Sequence, residues 1–97
     1  MSVEFEWDER KRISNLAKQG VDFRNAVRLD LTRAVVREDR RRDYGELRLI
    51  AFALLGERLH VLVFTQRRDA VRIISLCRAN DREFDDYEAQ AAHTRGE

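Results

Sequence analysis

An α+β fold is predicted for this sequence, with two N-terminal helices and a C-terminal helix packed on an antiparallel sheet. Three features carry that prediction. Two short amphipathic segments in the first third each open on an aspartate, Asp8 and Asp22. Several strand-length, apolar-rich segments then follow between Ala34 and Cys77, separated by a polar loop and tight reversals. After Asn80 the pattern returns to helical spacing behind a second capping signal.

Val3 to Trp7 reads as a short first strand. Asp8 is the N-cap of the first helix, in which Ile13, Leu16 and Ala17 recur at i, i+3 and i+4. Gly20 ends it, because the residue after a helix commonly takes a left-handed backbone that glycine tolerates. Asp22 caps a second short helix whose buried side is Phe23, Ala26 and Val27. Ala34 to Arg37 is a strand, and Glu38 to Gly45 a polar loop. Three longer strands follow, about Glu46 to Leu55, Leu59 to Gln66 and Ala70 to Cys77. Gly56-Glu57 suits a type II′ hairpin turn, with glycine first, and Arg67 to Asp69 makes the next reversal. Asn80 with Glu83 forms a capping box for the last helix, and Phe84, Tyr87 and Ala91 form its apolar stripe. The tail from His93 to Glu97 is expected to fray.

Composition narrows the function classes. The 97 residues make one domain, 1–97, with about residues 3–92 ordered. A hydrophobic fraction of 43% excludes a disordered chain. The charged fraction is 38%, against roughly 25% on average. The charges nearly cancel to a formal +1, so net charge alone does not argue for nucleic acid. Arginine heavily outnumbers lysine and clusters at Arg10 to Arg12, Arg40 to Arg42 and Arg67 with Arg68. Its planar fork can hold two phosphate oxygens at once. Cys77 is the single cysteine, which excludes an intrachain disulfide. The opening MSVEFEWDERKR has no apolar run, and Leu47 to Leu55 is too short to span a bilayer. A soluble cytoplasmic protein without a membrane partner is expected. His60 and His93 with Cys77 make no metal-ligand spacing, and no glycine-rich phosphate loop is present, so neither metal nor cofactor is expected.

Register arithmetic suggests where chemistry gathers. With Gly56-Glu57 as the turn, Ile50 pairs with Val63, Arg48 with Thr65 and Glu46 with Arg67, all on one face. A symmetric second reversal pairs Val63 with Arg72 and adds it to that face. One end then holds Glu46, Arg48, Thr65, Arg67 and Arg72. The other end is apolar: Ile50, Phe52, Leu54, Leu59, Val61, Ile74 and Leu76. Arg72 stands in an otherwise apolar strand, where a charge is usually paired or functional. Two readings stand side by side. One is a phosphate clamp with Glu46 as proton-transfer group. The other is a solvated sheet edge with cross-strand ion pairs, each contributing about 0.2–1 kcal/mol. His60 reads as a sheet residue, Trp7 as core, and Arg40 to Arg42 as a solvated loop with RNA backbone contact as the alternative.

Three blocks of the sequence also resemble the BrnT family of toxins. FEWDERKRISNLAKQGVDFRNAV is similar to the family's opening through Trp7, Asp8, Lys11, Asn15, Leu16, Lys18, Gly20, Val21, Phe23 and Ala26. DYGELRLI is similar to its Y-G-E-x-R block through Tyr44, Gly45, Glu46 and Arg48. TQRRDAVRIISLCRAN is similar to its closing block through Thr65, Arg67, Arg72 to Ser75 and Ala79. The likeness runs from residue 3 to about 88. It implies a RelE-like fold and the role of toxin in a type II toxin–antitoxin system. It implies a metal-independent endoribonuclease that cleaves RNA and inhibits translation and growth. It further implies a ribbon-helix-helix, BrnA-like antitoxin in a heterotetramer, with promoter DNA reached only through that antitoxin.

On that basis Glu46, Arg48, Arg67 and Arg72 are the expected catalytic group, with Lys11, Lys18, Thr65 and Arg78 as RNA contacts. The likeness departs at Gln19, where the family carries histidine, and at Cys77, where it carries arginine. Arg78 can replace that arginine only if the strand end bulges or twists. The alternative reading is therefore a catalytically impaired toxin-like protein that binds the antitoxin as a corepressor.

Overall fold

The computed structural model describes residues 3–94, with side chains described as far as residue 91. Its elements are β1 (Glu4–Trp7), α1 (Glu9–Gln19), a 3-10 helix (Phe23–Arg28), β2 (Asp30–Glu38), β3 (Leu49–Leu55), β4 (Arg58–Arg67), β5 (Ala70–Arg78) and α2 (Asp81–Thr94). The five strands form one sheet in the order β1-β5-β4-β3-β2. The expected fraying from His93 onward falls mostly outside the described residues.

Each cap forms as the side-chain chemistry demands. Asp8 accepts from the Arg10 amide at 2.8 Å, and Gly20 closes α1 at φ 73° with its amide on the Leu16 carbonyl. Asn80 and Glu83 exchange bonds of 2.7 and 2.8 Å, the reciprocal pattern of a capping box. Asp22 likewise accepts from the Arg24 amide at 2.9 Å. The segment behind it is a 3-10 helix of six residues, not the α-helix expected. A stretch so short gains few α-type bonds before its chain must leave for the sheet.

The sheet is mixed, which corrects the all-antiparallel expectation. Strands β2 to β5 are antiparallel neighbours, but β1 lies parallel to β5, with Glu6 opposite Arg72 and Trp7 opposite Ile73. Local periodicity identifies a strand without revealing a neighbour more than sixty residues away. Among the described residues, the β5 edge beyond Ile73 has no strand partner, and the Asn15 side-chain amide takes that place. Its Nδ2 donates to the Leu76 carbonyl at 2.7 Å, and its Oδ1 accepts from the Leu76 amide at 3.3 Å. Nδ2 also reaches the Val21 carbonyl at 2.9 Å. One buried amide on α1 thus mimics a peptide unit and covers an open sheet edge.

Side-chain alternation divides the core between the two faces. Phe23, Ala26 and Leu29 press against Ala51, Ala53, Leu62, Ile73 and Leu76 on one face, joined by Phe5 and Trp7. The Trp7 and Phe23 rings meet edge to face at 6.3 Å. On the other face Tyr87 of α2 packs on Ile50, Phe52, Leu59, Val61 and Val63. Its hydroxyl donates to the Arg33 carbonyl at 3.1 Å. Phe84 remains 38% exposed, so the stripe of α2 is narrower than predicted. Among the described residues no helix is long and apolar enough to cross a membrane.

Candidate functional site

The first hairpin keeps the predicted register, with Leu55 opposite Arg58 and Ile50 opposite Val63. Gly56 has φ 62°, while Glu57 does not share the positive φ that a type I′ turn needs at both central residues. Strand β3 begins at Leu49, however, so Glu46 and Arg48 lie in the approach to the strand. That approach is tied down from both sides. The Thr65 hydroxyl donates to the Leu47 carbonyl at 2.8 Å, and the Asp39 amide donates to the Arg48 carbonyl at 2.8 Å.

The second hairpin differs from the symmetric reversal. Its turn is Arg68-Asp69, so Arg67 pairs with Ala70, and Arg72 lies opposite Thr65, not Val63. The shift of two residues along β4 leaves Arg72 on the predicted face. A bulge then follows, because Phe64 pairs with Ile73 but Val63 pairs with Ser75. The extra residue, Ile74, flips everything after it. Leu76 accordingly moves to the opposite core, and Cys77 takes its place on the α2 side. Arg78 lies opposite His60 and is exposed. As the strand neighbour of Cys77 it points to the other face, away from Arg72.

Two acid–guanidinium pairs mark the polar end of this face. Arg67 approaches Glu46 at 3.5 Å, and Arg72 donates to Glu6 at 2.7 Å. The acid beside Arg72 is therefore Glu6, which the sequence reading missed. The Glu-Phe-Glu-Trp alternation of β1 puts Glu6 on the face opposite Phe5 and Trp7, but only the parallel pairing with β5 sets it beside Arg72. The side chains of Arg67 and Arg72 are 52% and 32% exposed, so an incoming phosphate can compete for both guanidinium groups. Arg48 instead lies over the Tyr44 ring, 3.9 Å from its centroid, and its Nε is buried with no hydrogen-bond partner among the described residues.

Two of the remaining predicted residues, Lys11 and Lys18, lie on α1. Lys11 and Lys18 line a shallow hollow with Asn15, Ile74 and Ser75, beside α1 and the bulged part of β5. Thr65, opposite Arg72, is buried under its bond to Leu47. His60 is buried, with Nδ1 within 3.0 Å of the Arg58 carbonyl, as suits a sheet residue. Cys77 is half-buried, and that burial raises its thiol pKa, which keeps it neutral. The Asp39 side chain is fully buried, and the Arg41 guanidinium against it holds its carboxyl well below the usual carboxylate range.

The fold is a three-layered α+β domain whose sheet carries an acid-and-arginine rim at one end. A family model described as "Ribonuclease toxin, BrnT, of type II toxin-antitoxin system" matches residues 7–83. The chain belongs to the BrnT family. Among solved structures, the ribonuclease toxin BrnT of Brucella abortus, determined at 1.1 Å, superposes with a TM-score of 0.67 and 26% sequence identity. The match covers 82% of this chain and all of that one. No curated protein matches the sequence. Membership makes the protein a ribonuclease toxin with an antitoxin as its partner.

Proposed function

We propose that this toxin cleaves RNA internally, by a route that needs no metal, at the rim formed by Glu46, Arg48, Arg67 and Arg72. The ribose 2′-OH attacks the adjacent phosphorus, and the 5′-oxygen leaves, taking a proton from solvent water. The products are a 2′,3′-cyclic phosphate and a 5′-OH. Glu46 takes the 2′-OH proton, while the arginines hold the phosphate as charge builds on its oxygens. Lys11 and Lys18 steer flanking phosphates. The observation that supports this most is the pairing of Arg67 with Glu46 and of Arg72 with Glu6 at one end of one sheet face. Both pairs are exposed enough for substrate to displace the acid.

Translation and growth stop when the toxin is free in the cytoplasm. A ribbon-helix-helix antitoxin of the BrnA kind silences it in a heterotetramer, and promoter DNA is met only through that antitoxin. The RelE-like label for the fold belongs to the same reading.

Expression in a bacterial host tests it. Growth arrest and RNA decay are expected from the native chain and are lost in Glu46→Gln and Arg72→Ala. Unchanged toxicity in both variants would reject the site. A second reading draws on Cys77, a neutral thiol where the family resemblance places an arginine. On it the protein binds antitoxin as a corepressor without cutting RNA. Cleavage gained in Cys77→Arg by an inert native chain would favour this second reading.

A further inference from the structure

The loop between β2 and β3 holds a feature that the cleavage chemistry does not use. Arg41, Arg42, Tyr44 and Arg48 line a hollow of about 410 Å³. Two guanidinium groups flank one ring, Arg48 at 3.9 Å and Arg42 at 5.9 Å from the Tyr44 centroid. Arg41 satisfies the buried Asp39 through two bonds of 2.7 Å. Neither Arg42 nor Arg48 has an ion-pair partner among the described residues. Three cations thus line one small hollow, and among the described residues only Arg41 of the three has a carboxylate partner.

Such crowding is unfavourable in the empty protein and is relieved by an anion. The hollow is also held in shape. The Asp39 amide fastens one end to Arg48, the Thr65 hydroxyl fastens Leu47, and Gly45 at φ 74° turns the chain with its amide on Asp43. An aromatic ring with guanidinium groups over it offers the two chemistries that single-stranded nucleic acid needs, stacking for a base and charge for a phosphate. Arg48 belongs to this hollow and to the proposed cleavage rim, and Tyr44 stands two residues from Glu46.

We infer that the Arg41–Arg48 loop is a subsite for the nucleotide flanking the cleaved bond, with Arg42 on its phosphate and Tyr44 as the base platform. The inference rests on the RNA-cleaving reading above. Binding of a fluorescent, fully 2′-O-methylated single-stranded RNA, which cannot supply the attacking hydroxyl, tests it by anisotropy across a salt series. Cleavage of the unmodified strand is measured in parallel. Arg42→Ala is expected to weaken binding about threefold to tenfold and to flatten the salt slope by roughly 0.7, the value for one lost contact to a single strand. Tyr44→Leu is expected to weaken binding roughly fivefold or more while leaving the salt slope unchanged, since stacking releases no counterion. Arg42 is exposed, so its truncation leaves the fold intact even where the Tyr44 variant folds poorly. A native chain that cuts RNA, with an Arg42→Ala variant that keeps native affinity and salt slope, would overturn the subsite alone. A native chain that neither cuts nor binds RNA would overturn the cleavage reading, and the subsite with it.

Discussion

Replacing Asn15 by alanine removes one small side chain and strands three backbone groups at once. The amide holds the Leu76 carbonyl at 2.7 Å, the Val21 carbonyl at 2.9 Å and the Leu76 amide at 3.3 Å, in a site where Asn15 is only 8% exposed. A buried polar group left without a partner costs about 1–3 kcal/mol. The two short bonds lie near the middle of that range, and the long one contributes least. The shallow hollow that Asn15 helps to line lets a water recover part of the loss. The net destabilisation is therefore about 2–3 kcal/mol. For a domain of this size that lowers Tm by roughly 10–20 °C. Urea unfolding followed by far-UV circular dichroism checks it through a lower midpoint at unchanged slope. Asn15→Asp keeps the acceptor for the Leu76 amide but loses both donors, so it should recover little. A loss below about 1 kcal/mol in Asn15→Ala would show that water or a strand partner covers this edge of β5.

Three further outcomes follow from the same geometry. Arg68 opens the β4–β5 turn at φ 53°, where a residue with a Cβ is strained, so Arg68→Gly should raise the unfolding free energy by about 0.5–1 kcal/mol, read as a higher midpoint. An unchanged or lower midpoint would mean the turn carries no such strain. Asp39 has a depressed pKa in the folded protein, chiefly through Arg41. Its contribution is thus fully present above the unfolded value of about 3.9 and is lost as pH falls below it. Asp39→Asn should therefore show a shallower loss of stability between neutral and strongly acidic pH than the native chain, and an identical profile would contradict the assignment. The Cys77 thiol, raised by burial, should react with a thiol reagent at neutral pH more slowly than a free cysteine, and a faster rate would place it in a different setting.

Much of the fold was legible wherever the signal is local. Capping chemistry marked the starts of both α-helices at Asp8 and Asn80, and Gly56 set the first hairpin and with it the pairing of Ile50 with Val63. Legibility ended where distant segments meet. The parallel seat of β1 beside β5 depends on packing in which Phe5 and Trp7 join the core around Phe23, and no periodicity encodes that. Glu6 was invisible as the partner of Arg72 for the same reason. The bulge at Ile74 was equally hidden. It keeps Ile73 and Leu76 in one core while turning Cys77 toward Tyr87, a compromise between two faces that simple alternation cannot express. Parity alone nevertheless assigned Thr65, Arg67 and Arg72 to one face, because a shift of two residues leaves side-chain direction unchanged. By the same parity Arg78, the strand neighbour of Cys77, lies on the other face.

Single-turnover cleavage of a short single-stranded RNA by the purified toxin, in buffer containing a metal chelator, addresses the central claim most directly. The account predicts fragments ending in a 2′,3′-cyclic phosphate, and a rate that falls roughly a hundredfold or more in Arg72→Ala as one donor to the developing charge is removed. Cleavage by Arg72→Ala at the native rate, or native products ending in a 3′-OH, would contradict it.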